Sequence, residues 1–418
     1  MSNVIEPHPL GSDQAFWWLL DQNHPAHVAM VAEVVGPTTI EDWRGALQAV
    51  QRRHPNLCGK IVADDRGRLW FHHVADAPIT LRIAEGDPST WDSELQRELM
   101  TRLDMHQAPL AKAALIHRSD RSTLILSIHH AVADAKSILF AVRDVLLVLS
   151  GQSVERLAPV ASLTSQLFKD GGARGLDAAP EPASPPSRMK PDIFRSFAGE
   201  TPEIARLTLN PSTTAELRKR ARVERTTVHC ALVTAAVMAV RQISLELRNA
   251  PITIISPSDM RPLLGAGEEV APLAGGAALT MQPGQYPDDF WQAARAVRED
   301  LVPPRTIEQL AQAFSSTEQL MATRPGLQQL IDLFASRGGQ KISINNLGAA
   351  PFKAEFGPFA LKALWGPALL VGYEGERLIS AATIDGSLNL LHVSYTPIPS
   401  VLELTQQHLI AACAAVPS

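Results

Sequence analysis

The sequence has few cysteines, little excess of either charge and no long apolar run. Its 418 residues include three cysteines, Cys58, Cys230 and Cys413, which are far apart and odd in number. No CxxC or CxxH spacing is present, so the sequence predicts neither a disulfide framework nor a metal site. Such cysteines are typical of reduced proteins, and we expect a cytoplasmic location.

Charge and hydropathy exclude further classes of protein. Lys and Arg number 38 against 43 Asp and Glu, and this net charge of −5 gives no reason to expect binding to nucleic acid. The most apolar helical segment, Ala231–Val240, is shorter than the roughly 18 apolar residues that a transmembrane helix needs. The N-terminus lacks the basic and apolar segments of a signal peptide. What remains is a globular chain with 45% apolar residues, enough for a large core.

A segment rich in Pro, Gly and Ala, residues 171–192, divides the chain into two parts of similar size. We predict an N-terminal subdomain over residues 1–170, a linker over 171–200 and a C-terminal subdomain over 201–418. Both parts mix amphipathic helix patterns with β-rich runs. The sequence therefore predicts a mixed α/β (α+β) architecture.

The segment SIHHAVADAKSI contains the strongest candidate for chemistry. His129 and His130 directly follow a strand predicted over Thr123–Ile128, and Asp134 precedes an amphipathic helix predicted over Lys136–Leu149. A strand followed by a tight turn can hold an imidazole at the edge of a cleft. Histidine suits a general base because its ordinary pKa, about 6.5, leaves the neutral ring ready to accept a proton near neutral pH.

Structural interpretations of the same residues stay open. Adjacent histidines at a strand end are often a core or surface pair. An Asp just before a helix is a preferred N-cap, worth about 1 kcal/mol, and Asp134 could combine this role with an ion pair. A second HxxxD string, His72 to Asp76, is followed by Pro78 and a strand pattern, so we interpret it as structural.

The stretch HHAVADA resembles the HHxxxDG signature of the condensation-domain and CoA-dependent acyltransferase superfamily. Three further stretches are similar to segments of that family in order and spacing: ALQAVQRRHPNLCGKI (Ala46–Ile61), SPSDMRPLL (Ser256–Leu264) and ISINNLG (Ile342–Gly348). The pattern is closest to the free-standing polyketide-associated acyltransferases. The resemblance implies two chloramphenicol-acetyltransferase-like subdomains that form a V-shaped pseudo-dimer with a central tunnel.

The same resemblance implies roles for four residues. His130 would be the general base, midway along the tunnel. Asp134 would point away from the substrates and pair with Arg261, because PSDMRPLL matches the family segment that supplies an arginine. His129 would shape the turn rather than react.

Ala135, Ser256 and Asn346 are candidates for the tunnel wall. Ala135 stands where the family usually has glycine, which would allow a positive φ or close approach of a ligand. Its methyl group either has no effect, if φ is negative, or narrows the tunnel. Three aromatic residues are further candidates, although such residues belong to a core more often: Trp17, Trp18 and Trp365.

The implied function is transfer of an acyl group from acyl-CoA or an acyl carrier protein to a hydroxyl of a natural product or lipid. No cofactor is expected, since the CoA or phosphopantetheinyl thioester is itself a substrate, and two fused subdomains could complete the site in a monomer. Amide formation with an amine acceptor is the near alternative, because one base can serve both nucleophiles. A non-catalytic binding or scaffold homologue is the other, and Ala135 keeps it open.

Overall fold

The computed structural model describes residues 5–168, 193–336 and 339–414, so the segment 171–192 lies outside the described residues. The strands are β1 (His8–Pro9), β2 (His27–Val35), β3 (Gly59–Ala63), β4 (Leu69–His73), β5 (Thr80–Ala84), β6 (Ala111–His117), β7 (Arg121–His129), β8 (Glu203–Leu209), β9 (Ile252–Asp259), β10 (Ala274–Met281), β11 (Gln340–Ala349), β12 (Glu355–Phe356), β13 (Phe359–Ala368), β14 (Arg377–Ile384) and β15 (Ser387–Ser394). The helices are α1 (Ser12–Asp21), α2 (Ile40–Arg53), α3 (Asp92–Met100), α4 (Ala135–Leu149), α5 (Leu163–Leu167), α6 (Pro211–Val223), α7 (Val228–Ile243), α8 (Leu245–Arg248), α9 (Arg261–Leu264), α10 (Phe290–Asp300), α11 (Ile307–Ala322), α12 (Leu327–Ser336) and α13 (Val401–Ala414), with a 3-10 helix at Pro55–Cys58.

Two mixed six-stranded sheets form the frame of the molecule. The first has the order β12-β13-β2-β7-β6-β5 and the second the order β10-β9-β11-β14-β15-β8, while β1, β4 and β3 make a small third sheet. Helices α2 and α4 pack on the first sheet, and α7, α10 and α13 pack on the second. The mixed α/β architecture predicted from the sequence is confirmed.

Strand β2 shows how the sequence builds layers on both sides of the first sheet. Val28 and Met30 lie in the cluster formed with α2 and α4, where Trp43 is fully buried. Ala29 and Val31, on the opposite face, pack in a different cluster with α3 and with β15 of the second sheet. Burying one large apolar side chain is worth about 1.5–3 kcal/mol. Apolar packing through this second cluster therefore joins the two halves.

The second half of the chain contributes two strands to the first sheet. β13 pairs antiparallel with β2, with Leu364 opposite Ala32, and β12 extends that edge. The bounds 201–418 predicted from the sequence place both strands in the C-terminal subdomain, because chain order is the only guide that a sequence offers. The first sheet therefore includes strands from both sides of the predicted boundary, whereas the second sheet is built from the second half alone.

Helix α7 contains the most apolar segment of the sequence, Ala231–Val240, which is buried except at Met238. It packs against the second sheet and the helices beside it. In the three ranges that the structure describes, no single helix is long and apolar enough to cross a membrane. Helices α6 and α7 reach that length only together, and they are bent by 103°.

Candidate active site

Two adjacent histidines stand where strand β7 ends, and their side chains have different surroundings: His129 is the last residue of the strand and His130 the first residue of the turn. His129 pairs with His27 of β2, and its ring is fully buried. Its Nδ1 accepts a hydrogen bond from the backbone N–H of Ala131 at 3.0 Å, and its Nε2 lies 3.4 Å from Oδ1 of Asp21. These contacts fix the turn that follows the strand.

His130 lies on the wall of a cavity of about 1060 Å³ between the two halves. Its Nδ1 is 2.9 Å from the carbonyl oxygen of Ala133. Because a carbonyl oxygen can only accept, Nδ1 carries the ring proton and Nε2 retains its lone pair. Trp17 stacks on the ring with a centroid distance of 3.9 Å and an interplanar angle of 19°. The hydrogen bond and the stacked ring together orient the imidazole.

The surroundings of His130 keep its ring neutral. Burial lowers the pKa of His130 to about 4, and this effect outweighs the opposite influence of the Asp134 carboxylate and of the Ala133 carbonyl. A neutral imidazole with a free Nε2 is the form that accepts a proton. The residue is therefore in the state that a general base requires.

We expect kcat/KM to show no titration near pH 6.5. The neutral ring is the competent form, and a pKa of about 4 keeps it neutral through the physiological range, with loss of activity only as the pH falls towards that value. Rates measured from about pH 5 to pH 8.5, with circular dichroism at each pH to verify folding, would test this. A half-maximal rate near pH 6.5 would contradict the burial of the ring.

Asp134 has both of the structural roles that the sequence leaves open. It is the N-cap of α4, accepting from the backbone N–H of Ser137 at 2.8 Å. Its carboxylate also accepts two hydrogen bonds from Arg261, at 2.8 and 3.1 Å, and one from the backbone N–H of Leu273 at 2.9 Å. Burial alone would raise the pKa of Asp134, but the charge and hydrogen bonds of Arg261 hold it below its ordinary value. The carboxylate is thus ionised and turned towards the arginine.

The ion pair of Asp134 joins the two halves, because Arg261 opens the short helix α9 of the second half. Nearby, Nη2 of Arg143 on α4 donates to Oε2 of Glu268 at 2.6 Å. Arg53 on α2 lies 3.4 Å from the same carboxylate. The segment that follows β9 is therefore anchored by charge to the helix that follows the histidine turn.

The structure places all three predicted wall residues on the cavity. Ala135 is the first residue of α4 and its φ is negative, so its methyl group imposes no backbone strain. Oδ1 of Asn346 accepts from the backbone N–H of Gly348 at 2.8 Å. Oγ of Ser256 lies 2.7 Å from Nε2 of His229.

Most of the cavity wall is apolar or aromatic. Its apolar and aromatic residues include Phe16, Trp17, Leu20, Val28, Phe334 and Val371. Trp18 instead packs against the first core, and Trp365 is buried between the sheets, where its Nε1 donates to Glu33 at 2.7 Å. His72 lies opposite Lys60 in the small sheet, away from the cavity.

Among the cavity residues that the sequence analysis did not single out, two polar ones are His229 and Asn345. His229 lies in TTVHC, in the first turn of α7, whose N-cap is Thr227. Asn345 lies in ISINNLG, and its buried Oδ1 has no hydrogen-bond partner among the described residues. The alternation of β11, in which Ser343 and Asn345 face the cavity together, is the signal that could have found Asn345.

Comparisons of the sequence match the two halves separately. A condensation-domain family model matches residues 8–157, and a model of the phthiocerol/phthiodiolone dimycocerosyl transferase C-terminus matches residues 198–351. One plipastatin synthase protein of Bacillus subtilis is 25% identical over 285 residues, covering 62% of this chain and 8% of that protein. Phosphinothricin tripeptide synthetase PhsC of Streptomyces viridochromogenes is 30% identical over 187 residues, covering 41% of this chain and 17% of that protein. The chain thus spans a small part of the length of these relatives.

Solved structures share the fold over nearly the whole chain. The first condensation domain of the CDA synthetase has a TM-score of 0.68 at 16% identity, covering 99% of this chain and 97% of that one. Polyketide synthase associated protein 5 from Mycobacterium tuberculosis has a TM-score of 0.60 at 16% identity, covering 98% and 99%. The predicted pseudo-dimer of acetyltransferase-like halves is confirmed by this likeness. Together with the two family models, it shows that the protein belongs to the condensation-domain and CoA-dependent acyltransferase superfamily.

Proposed function

We propose that the protein transfers an acyl group from a thioester to a hydroxyl group, with His130 as the general base. The observation that supports this most strongly is the neutral His130 ring on the wall of the cavity between the halves, with its lone pair on Nε2. The donor would be an acyl-CoA or an acyl carrier protein, and the acceptor a natural product or lipid. The reaction would need no bound cofactor.

The proposed reaction proceeds through one proton relay at His130. The acceptor oxygen attacks the thioester carbonyl carbon while its proton passes to Nε2. The tetrahedral intermediate then breaks its C–S bond, and the imidazolium returns the proton to the leaving thiolate. Negative charge developing beside the ring raises the proton affinity of the ring, so a resting pKa of about 4 does not prevent the transfer. Binding both reactants in one cavity adds an entropic advantage.

The composition of the cavity wall is suited to binding an apolar acyl group. Aromatic and aliphatic side chains, among them Phe16, Leu20 and Phe334, line a space of about 1060 Å³. Burying each methylene of an acyl chain against such a wall contributes about 0.8 kcal/mol. A medium or long acyl chain would therefore bind more tightly than an acetyl group.

Amide formation is the second candidate, and the names of the relatives favour it. The match to the first half is a condensation domain, and two relatives are named as a plipastatin synthase and a tripeptide synthetase. The match to the second half is named as a dimycocerosyl transferase, which favours transfer of an acyl group to form an ester. Because one base can activate an alcohol or an amine, the acceptor must be identified by experiment.

We expect the purified chain to release thiol from acyl-CoAs only when an alcohol acceptor is present. Octanoyl-CoA, acetyl-CoA and octanoyl-pantetheine would be tested with acceptors that differ in one group, such as 2-phenylethanol and 2-phenylethylamine. Mass spectrometry would identify the product, and we expect the ester. An amide from the amine would favour the second candidate. Release that is the same with and without an acceptor would indicate hydrolysis and contradict both candidates, whereas no release under any condition would favour a binding or scaffold role.

A further inference from the structure

A serine and a histidine of the second half meet on the cavity wall, on different elements from those that hold His130. Ser256 lies in β9, and its Oγ is 2.7 Å from Nε2 of His229, in the first turn of α7. Both residues line the cavity that contains His130. The proton transfer at His130 uses neither of them, although their polar groups are set in a largely apolar wall.

The fold itself builds this pair. Ile252 and Ile254 point from β9 into the core against α7, and Ser256 continues the same face of the strand where that core ends. The first turn of α7 brings His229 to that position. A Cβ atom on Gly276 of β10 would lie 2.6 Å from the Ser256 carbonyl oxygen, so glycine permits the neighbouring strand to approach closely here. Ser256 is consequently only 5% exposed.

The position of the His229 ring proton follows from what surrounds the ring. Burial lowers the pKa of His229 to about 4, so the ring is neutral and carries one proton. Its Nδ1 is buried, and no residue within the described ranges hydrogen bonds to it. Buried N–H groups without an acceptor are rarer than acceptors without a donor, and the positive end of a helix favours a lone pair. The proton therefore lies on Nε2, which donates to the Ser256 oxygen.

With its oxygen accepting from His229, the Ser256 hydroxyl has its own proton to donate. We infer that Ser256 donates this hydrogen bond to an oxygen atom of the bound substrate and that His229 holds the hydroxyl in position for it. Ser256 is then a substrate-binding residue and His229 a positioning residue. The inference rests on the proposed function, since it concerns the substrate of that reaction. The oxygen belongs either to the carbonyls of the thioester arm or to the acceptor.

The same arrangement disfavours Ser256 as a nucleophile. A serine nucleophile needs a base with a free lone pair facing its hydroxyl and a third group that orients the base. In the tautomer that we infer, Nε2 donates to Ser256 instead of accepting, and Nδ1 of His229 has no partner among the described residues. A covalent acyl-serine intermediate is therefore not part of the inference.

The first test reads the protonation of His229 directly. Long-range ¹H–¹⁵N correlation spectra of the full chain, labelled at histidine, distinguish a protonated ring nitrogen from a bare one. Signals that vanish in the His229→Gln variant assign the residue. We expect the proton on Nε2. A proton on Nδ1 would overturn the inference, and it would leave the proposed function of His130 untouched.

The second test measures binding in a His130→Ala background, so that the probes are not consumed. Ser256→Ala is expected to weaken the binding of octanoyl-pantetheine or of 2-phenylethanol by about three- to tenfold, the usual effect of one hydrogen bond. The probe whose affinity falls in Ser256→Ala carries the oxygen that accepts the hydrogen bond from Ser256. His229→Leu should cause a similar loss and none beyond it when combined with Ser256→Ala, because both act through one hydroxyl. His229→Gln, which can still donate to Ser256, should retain most of the affinity.

Several outcomes would overturn the inference. These are unchanged affinity for both probes in Ser256→Ala, losses that add in the double variant, failure of the wild-type chain to bind either probe, or an acylated Ser256 in the intact protein mass. Thermal melting of each variant would verify folding. A further outcome would separate the two ideas. If the variants lose affinity as expected but the wild type shows no acceptor-dependent thiol release, only the proposed function is contradicted.

Discussion

Replacing His130 with alanine is expected to lower kcat for acyl transfer by about 10²–10⁴-fold, the usual contribution of a general base. The variant loses the Nε2 lone pair and the ring on which Trp17 stacks. His130→Gln is the sharper companion, because its amide can still donate to the Ala133 carbonyl but has no basic nitrogen. Single-turnover thiol release with octanoyl-CoA and an alcohol would report the chemical step.

The second HxxxD string offers a matched control for the His130 variants. His72 lies in β4 of the small sheet, away from the cavity, so His72→Ala is expected to retain wild-type activity. Melting curves would verify that all three variants fold. Wild-type rates in His130→Ala, or equal losses in His72→Ala, would contradict base catalysis by His130.

Replacing Asp134 with alanine is expected to lower the free energy of unfolding by up to about 3–5 kcal/mol, because buried Arg261 would lose its buried partner and retain only the partly exposed Asp259 at 3.1 Å. Arg261 is 3% exposed and Asp134 2% exposed. The loss of the N-cap of α4 adds about 1 kcal/mol. Asp134→Asn retains a capping oxygen but removes the charge, so the difference between the two variants separates the cap from the ion pair. Denaturant unfolding would measure both.

An exposed ion pair supplies the control for Asp134. Nζ of Lys219 lies 3.9 Å from Oε2 of Glu216, and both side chains are more than half exposed. Lys219→Ala is therefore expected to change the free energy of unfolding by less than about 1 kcal/mol. The Asp134 variants should lose stability more than they lose affinity for octanoyl-pantetheine. Unchanged melting with lost binding would instead indicate that the Asp134 carboxylate contacts the substrate.

The sequence predicted those parts of the site that are built from neighbouring residues in the chain. The strand, the turn and the helix start around His130 each have a pattern of a few residues, and the structure contains β7, the turn and α4 at those positions. Arg261 is 127 residues from Asp134, and their pairing was implied by family resemblance rather than by any local pattern.

The sequence could not predict contacts between distant elements that leave no local period. The 2.7 Å contact between His229 and Ser256 depends on how the first turn of α7 meets the end of β9. The pairing of β13 with β2 is similar, since an alternating strand pattern does not specify its partner. Both features depend on tertiary packing, which sets the surroundings of the cavity.

The pairing of β13 with β2 has a consequence for how the chain is made. During synthesis, the first half emerges from the ribosome well before residue 368 does. Until then β13 is absent, and one edge of β2 has no neighbouring strand. An open strand edge is a template for pairing with other chains, so the nascent protein passes through a stage at which it needs protection from aggregation. For the same reason, a fragment that stops within residues 171–192 would lack two strands of its own sheet.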